Sequence, residues 1–225
     1  MDITILQNLI GVAPRVWDIY GMRHEPLRNK IPPEQLPQLL QLARNTAEAL
    51  VEKVKTEFAG KTPEEVLQEL NVTICRQPQM DGGGYDVFAC YEEPNTVTLY
   101  TKPVEKADAM LAEIPGGAEL IQTDLSQVLF THELFHYYEY SEKDGLPTAQ
   151  KQLTMWKIGR WERKCQVRAL GEIAAMHFAA GMLQLNYSPY MLDVLLLYPS
   201  NRPKAEELYT YIMQLAEKDG NGGCG

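Results

Sequence analysis

The stretch Thr131-His132-Glu133-Leu134-Phe135-His136 decides how this chain is read. Residues four apart on an α-helix lie one above the other on the same face. His132 and His136 can therefore hold one metal ion between their imidazoles. Glu133 stands beside the first of them, where its carboxylate reaches a water held by that ion. On a solvated helix the same spacing would be two spare histidines. Burial of the helix and a third ligand separate the two readings.

The helix predicted around the motif runs from Leu125 to Tyr140. Thr123 or Asp124 serves as N-cap, with Gln127 placed for a capping box behind Asp124. Leu125, Val128, Leu129, His132, His136 and Glu139 fall on one stripe, and Phe130, Leu134, Tyr137 and Tyr138 occupy much of the rest. A helix apolar on most sides is buried on most sides. A metal ion would give both buried histidines a partner.

A third ligand is sought because a catalytic zinc takes three protein ligands and a water. Glu139 is on the right face, but three ligands along one straight helix cannot surround a tetrahedral ion. Its expected place is behind His136, accepting a hydrogen bond from it. Glu172 is the stronger choice. It is the one formally charged residue between Ala169 and Leu185, and a lone carboxylate in an apolar helix costs several kcal/mol, on the order of a buried charge, unless it is paired. Ala175 and Ala179 would let this helix approach the metal helix closely. The competing reading pairs Glu172 with Arg168, its i−4 neighbour. His177 lies well around the helix and reads as a core histidine or a hydrogen-bond donor to the reaction.

Around these motifs the chain is long enough for one domain. Hydrophobic residues make up 45% of the 225, and 21 basic against 30 acidic side chains give a formal charge of −9. That balance argues against a nucleic-acid partner. The four cysteines, at 75, 90, 165 and 224, form no C-x-x-C pair. Cys75 and Cys90 sit in expected neighbouring strands as reduced thiols. No basic start of a secretory signal and no membrane-length apolar run is seen, so the expected compartment is the cytoplasm, without a membrane partner.

In chain order, Val16, Trp17, Ile19 and Tyr20 form a short helix, and His24 reads as a surface histidine. Pro32-Pro33 opens a long helix to about Ala59, and Thr62-Pro63-Glu64-Glu65 caps a short one. Strands follow at 71–76, 85–91 and 96–101, with a flexible Asp81–Gly84 turn between the first two. Pro103 starts a helix ending near Ile114. Beyond Pro147 the chain reads as helical to about Leu185, then as a short apolar helix (Met191 to Leu197) and an amphipathic one (Pro203 to Lys218). Residues 220–225 read as a disordered tail.

With both motifs quoted, the chain resembles the ImmA/IrrE-type family of bacterial zinc metallopeptidases. The likeness rests on His132-Glu133-x-x-His136, then Glu172-x-x-Ala175-x-x-Phe178-Ala179. Leu67 to Ile74 is similar to that family's helix leading into a strand, and Thr96 to Tyr100 to its edge strand. The likeness covers roughly residues 45–185. It implies a gluzincin-like site holding one Zn2+ per chain on His132, His136 and Glu172, with Glu133 as base. The 36 residues from His136 to Glu172 exceed the spacing of compact members.

The resulting expectation is an α+β, mostly helical, zincin-like domain over residues 1–219. Its N-terminal helical region covers 1–60, and the HExxH helix packs on a small three-stranded sheet. The expected activity is hydrolysis of peptide bonds in a peptide or protein substrate. Tyr137, Tyr138, Arg168 and His177 are the candidate donors to the developing oxyanion, and Thr96–Tyr100 the strand that would receive the substrate by strand addition. The competing readings are a non-enzymatic protein-binding module with a structural zinc and a small-molecule amidase.

Overall fold

A computed structural model describes residues 1–79, 87–158 and 160–221; the side chains of 155–158 and of Asn221 are not described. The elements in order are α1 (Ile3–Ile10), α2 (Pro14–Gly21), α3 (Leu36–Glu57), α4 (Pro63–Glu69), β1 (Thr73–Gln77), β2 (Ala89–Glu92), β3 (Thr96–Tyr100), α5 (Thr101–Glu113), α6 (Gly117–Ile121), α7 (Leu125–Ser141), α8 (Pro147–Gln150), β4 (Gln152–Ile158), β5 (Trp161–Gln166), α9 (Ala169–Leu183), α10 (Leu192–Leu197) and α11 (Arg202–Asn221). The architecture is α+β and mostly helical, as expected.

The metal helix α7 lies on the three-stranded sheet, and α9 is packed between α3 and α7. Leu125, Val128, Phe130, Leu134 and Phe135 of α7 are buried, and Phe135 meets Phe178 of α9. Asp124 is the N-cap, its carboxylate accepting from Ser126 N–H at 2.7 Å. The capping box expected from Gln127 does not form: its side-chain oxygen is buried without a partner. The box does form at Thr62 and Glu65, each accepting from the other's backbone N–H.

Several boundaries move for physical reasons. Helix α3 starts at Leu36 rather than at Pro32-Pro33, and Pro37 is its first-turn proline. Helix α11 continues to Asn221, into the expected tail; residues 222–225 lie outside the described ones. The Asp81–Gly84 turn also lies outside them. Helical reading of the chain beyond Pro147 fails between 152 and 166, where β4 and β5 pair antiparallel, Leu153 opposite Cys165 and Ile158 opposite Trp161. The sequence of this stretch is rich in β-branched and aromatic residue types, which suit a pleated ribbon better than a helix.

The sheet order is β1-β3-β2, with β1 parallel and β2 antiparallel to β3. Thr96–Tyr100 is therefore the central strand, not an edge, and strand addition on it is blocked from both sides. Cys75 and Cys90 both pair with Thr98, so β3 stands between them. All three described cysteines are free. No described helix is long and apolar enough to cross a membrane.

The N-terminal helices cover the far side of α9. Val16, Trp17 and Tyr20 are buried while Ile19 is exposed. Tyr190 packs against both aromatic residues, its ring centroid 6.3 Å from Trp17 and 5.4 Å from Tyr20. Gly21 makes this approach possible: a Cβ there would lie 2.3 Å from the Tyr190 hydroxyl and 2.7 Å from Ile173 Cγ1. Gly21→Ala is expected to lower unfolding free energy by about 1–3 kcal/mol through overpacking, read by urea denaturation. Tyr190→Phe in the same chain should recover part of that loss. Full stability of the single variant would show that the ring can shift freely.

Candidate metal centre

Three ligand-type side chains converge between α7 and α9. His132 Nε2 and His136 Nε2 are 3.1 Å apart. Glu172 brings Oε2 to 3.4 Å from the first and Oε1 to 3.5 Å from the second. Among the described residues these three form the group able to hold a metal ion, their donor atoms all within 4.8 Å of one another. An ion bound tetrahedrally at about 2.0–2.1 Å has its donors about 3.3–3.4 Å apart. The two histidine nitrogens are close to that edge length apart and each has a different Glu172 oxygen near it, so the three side chains could hold one ion between them.

Each ligand is set by its helix. The i, i+4 spacing brings the two imidazoles together edge to face, with centroids 4.8 Å apart. Glu139, one turn beyond His136, places Oε2 3.0 Å from His136 Nδ1. With the proton on Nδ1 donated to this carboxylate, the Nε2 lone pair is left for the ion. The expected role of Glu139 is thus met in geometry. His132 has no such support: its Nδ1 is buried without a protein partner. Gly171 of α9 is the residue that admits Glu139. A Cβ at 171 would stand 2.6 Å from Glu139 Oε1.

Helix α9 is itself anchored by a residue the sequence reading passed over. Glu25 is buried and accepts the Ala169 N–H through Oε2 at 3.1 Å and the Leu27 N–H through Oε1 at 2.9 Å. It satisfies an otherwise free N–H at the start of α9 and complements the helix dipole. Arg168 is exposed and makes no ion pair with Glu172 among the described residues. The expectation that Glu172 is deeply buried is corrected: 55% of its side chain is exposed. It sits where the apolar helix meets a cavity.

That cavity, about 230 Å³, is walled by Phe88, Ala89, Val128, Leu129, Met176 and Leu192, with His132, Glu133 and Glu172 in its lining. Glu133 is 5% exposed, and the Tyr91 N–H is directed at its carboxylate. Burial pushes the Glu133 carboxyl above its ordinary value; the two histidines pull it down, and Glu172 pushes it up. Burial also works against charge on His136 and Glu172. For each, the hydrogen bonds and opposite charge of the cluster outweigh it, so His136 is held well above and Glu172 well below its ordinary value.

None of the four expected oxyanion donors lines this cavity. Tyr137 packs its ring against Tyr91 and Tyr138. Tyr138 is buried toward α3, its ring 5.1 Å from the Lys53 ammonium. Arg168 is on the surface. His177 faces the other side of α9, its Nε2 2.7 Å from Asp18 Oδ1, in a separate cavity of about 380 Å³ that contains none of the three ligands. It is half-buried against the Asp18 carboxylate, not a core histidine. His24 is exposed and outside the metal group, yet near enough to Glu172 to feel its charge. The cavity holds one polar residue that was missed, Asp193. Its Oδ2 accepts from Tyr20 Oη at 2.7 Å. It is the lone charge in an apolar helix, the same signal that marks Glu172.

No family model, curated protein or solved structure matches the chain.

Metal-free protein titrated with Zn2+ is expected to bind one ion per chain, followed by calorimetry. Glu172→Ala should weaken binding at least on the order of 100-fold, and Glu139→Gln by about 10–100-fold through loss of the His136 support. Unchanged affinity in Glu172→Ala would remove it from the ligand set.

Proposed function

We propose that the chain is a cytoplasmic zinc-dependent metallopeptidase of the ImmA/IrrE type, hydrolysing peptide bonds in a protein substrate. The observation that carries this reading is the three-donor convergence with a buried carboxylate, Glu133, beside it and an open cavity in front. Two imidazole nitrogens and a carboxylate suit zinc. When bound, such an ion supplies Lewis acidity: it polarises a carbonyl and lowers the pKa of a water toward neutrality.

The chain's own residues supply the rest. His132, His136 and Glu172 hold the ion, and Glu139 fixes the His136 tautomer. Glu133 takes a proton from the attacking water at its carboxylate and delivers it to the leaving nitrogen. Its burial suits the task, because a carboxyl raised by desolvation accepts a proton more readily than a solvated one. The apolar wall around Phe88, Leu129 and Met176 excludes water and accepts an apolar side chain. The free edge of β2, which begins at the cavity-lining Ala89, is the sheet edge on which an extended substrate can add a strand.

The alternative, a binding module with a structural zinc, calls for a closed site with four protein ligands. Among the described residues the group stops at three. Glu133→Gln is expected to keep one metal per chain and to lower cleavage of a fluorogenic peptide library by about 10²–10⁴-fold. Metal retained with cleavage undiminished would refute the role of Glu133. Absence of metal-dependent cleavage in the wild type would leave the structural reading.

A further inference from the structure

We propose that the β4–β5 ribbon is a docking arm for an acidic segment of a partner polypeptide. From Lys151 to Arg168 the chain has six basic residues, Lys151, Lys157, Arg160, Arg163, Lys164 and Arg168, and one acidic residue, Glu162. This is a net +5 within a chain of −9, so the rest of the chain stands at −14. Four of the six basic residues lie on the ribbon and its turn, and Lys151 and Arg168 flank its base.

Three structural observations say what that element is for. First, its charge is available: residues 160–164 are all exposed, and Arg163, Lys151 and Arg168 have no ion pair among the described residues. Lys164 pairs only with Glu162, at 2.8 Å and in the open, a contact worth little in water. Second, Trp161 is 66% exposed. The Arg160 guanidinium lies 5.5 Å from its ring. Trp161 and Arg163 share one face of β5. Third, among the described residues the ribbon has two strands and no third, so its outer edges offer backbone groups to an added strand.

Basic side chains, an exposed indole and open strand edges together fit an extended acidic peptide. The edges pair its backbone, the cations meet its carboxylates, and the indole covers an apolar side chain. A phosphate polymer would use the cations and leave the edges idle, and the remaining −14 of the chain would repel it. The arm is rooted beside the metal centre. β5 ends at Gln166, and Glu172 lies in the first turn of α9. That the arm presents a substrate to the metal rests on the hydrolytic reading above; the docking does not.

The test is fluorescence anisotropy of a labelled peptide alternating glutamate with valine, using the full chain with and without Zn2+. Both forms are expected to bind it, more weakly as salt rises, and a glutamine-for-glutamate version should bind at least tenfold more weakly. Arg160→Glu combined with Arg163→Glu should lower affinity at least tenfold with circular dichroism and metal content unchanged, and Trp161→Ser several-fold. Binding by the zinc-free chain keeps this result separate from success or failure of peptide hydrolysis. Equal binding by the charge-reversed variant, or no binding by the wild type, overturns the proposal. So does tighter arm-dependent binding of duplex DNA or phosphatidylserine vesicles, or arm-dependent self-association in sedimentation.

Discussion

The side chains of His132, His136 and Glu172 meet between two helices, and much of the structure is arranged around that convergence. It forces α7 and α9 into close contact along their length. Gly171, Ala175 and Ala179 leave room on α9, and Gly171 in particular lets the Glu139 carboxylate reach between the helices to His136. Helix α9 is then held from its other sides by α3 and by the N-terminal helices, with Glu25 fixing its first N–H. A small displacement along α9 would move Glu172 by a sizeable fraction of an ångström-scale coordination distance. The packing on three sides, rather than any single hydrogen bond, is what keeps the donors in register.

The parts legible in the sequence are those whose geometry is local. The spacing of His132, His136 and Glu139 fixes their shared face because the helical period is fixed. Glu172 was found by the oddness of a single carboxylate in an apolar helix, although its burial was overestimated: the helix is apolar because α3, α7 and α2 surround it, and Glu172 occupies the sector left open by the cavity. The same criterion picks out Asp193, between Leu192 and Val194, and was not applied there.

The parts that were not legible depend on partners far along the chain. Alternation in Thr96–Tyr100 marks a strand but says nothing of how many neighbours it has. A parallel crossover from β1 over β2 puts β3 in the middle, and that is a matter of topology. The β4–β5 ribbon was read as helix because its polar residues recur at mixed spacing and its apolar residues are too few to show a clean period. Along β5 the residues from Trp161 to Lys164 are all exposed, so no buried face imposes one there. The donors assigned from Tyr137, Tyr138, Arg168 and His177 failed for a related reason. Proximity in sequence to a ligand says which helix a residue is on, but a turn of 100° per residue decides which cavity it sees.

Exposure divides the roles of the two acidic groups at the centre. Glu172 is open and paired with two imidazoles, so its charge is stabilised by neighbours as well as by water, and it is suited to remain anionic as a ligand. Glu133 is buried beside the same imidazoles, with one backbone N–H from β2 as its partner, so its affinity for a proton is raised by its surroundings and restrained by the cluster. Two carboxyl groups on one cavity thereby acquire opposite tendencies: desolvation prevails at Glu133, and the hydrogen bonds and opposite charge of the two histidines prevail at Glu172. The sheet contributes to this directly: β2 both supplies the Tyr91 N–H to Glu133 and starts the cavity wall at Ala89. In the proposed reading the base and the bound peptide would therefore share one short strand, and α7 lies against that strand.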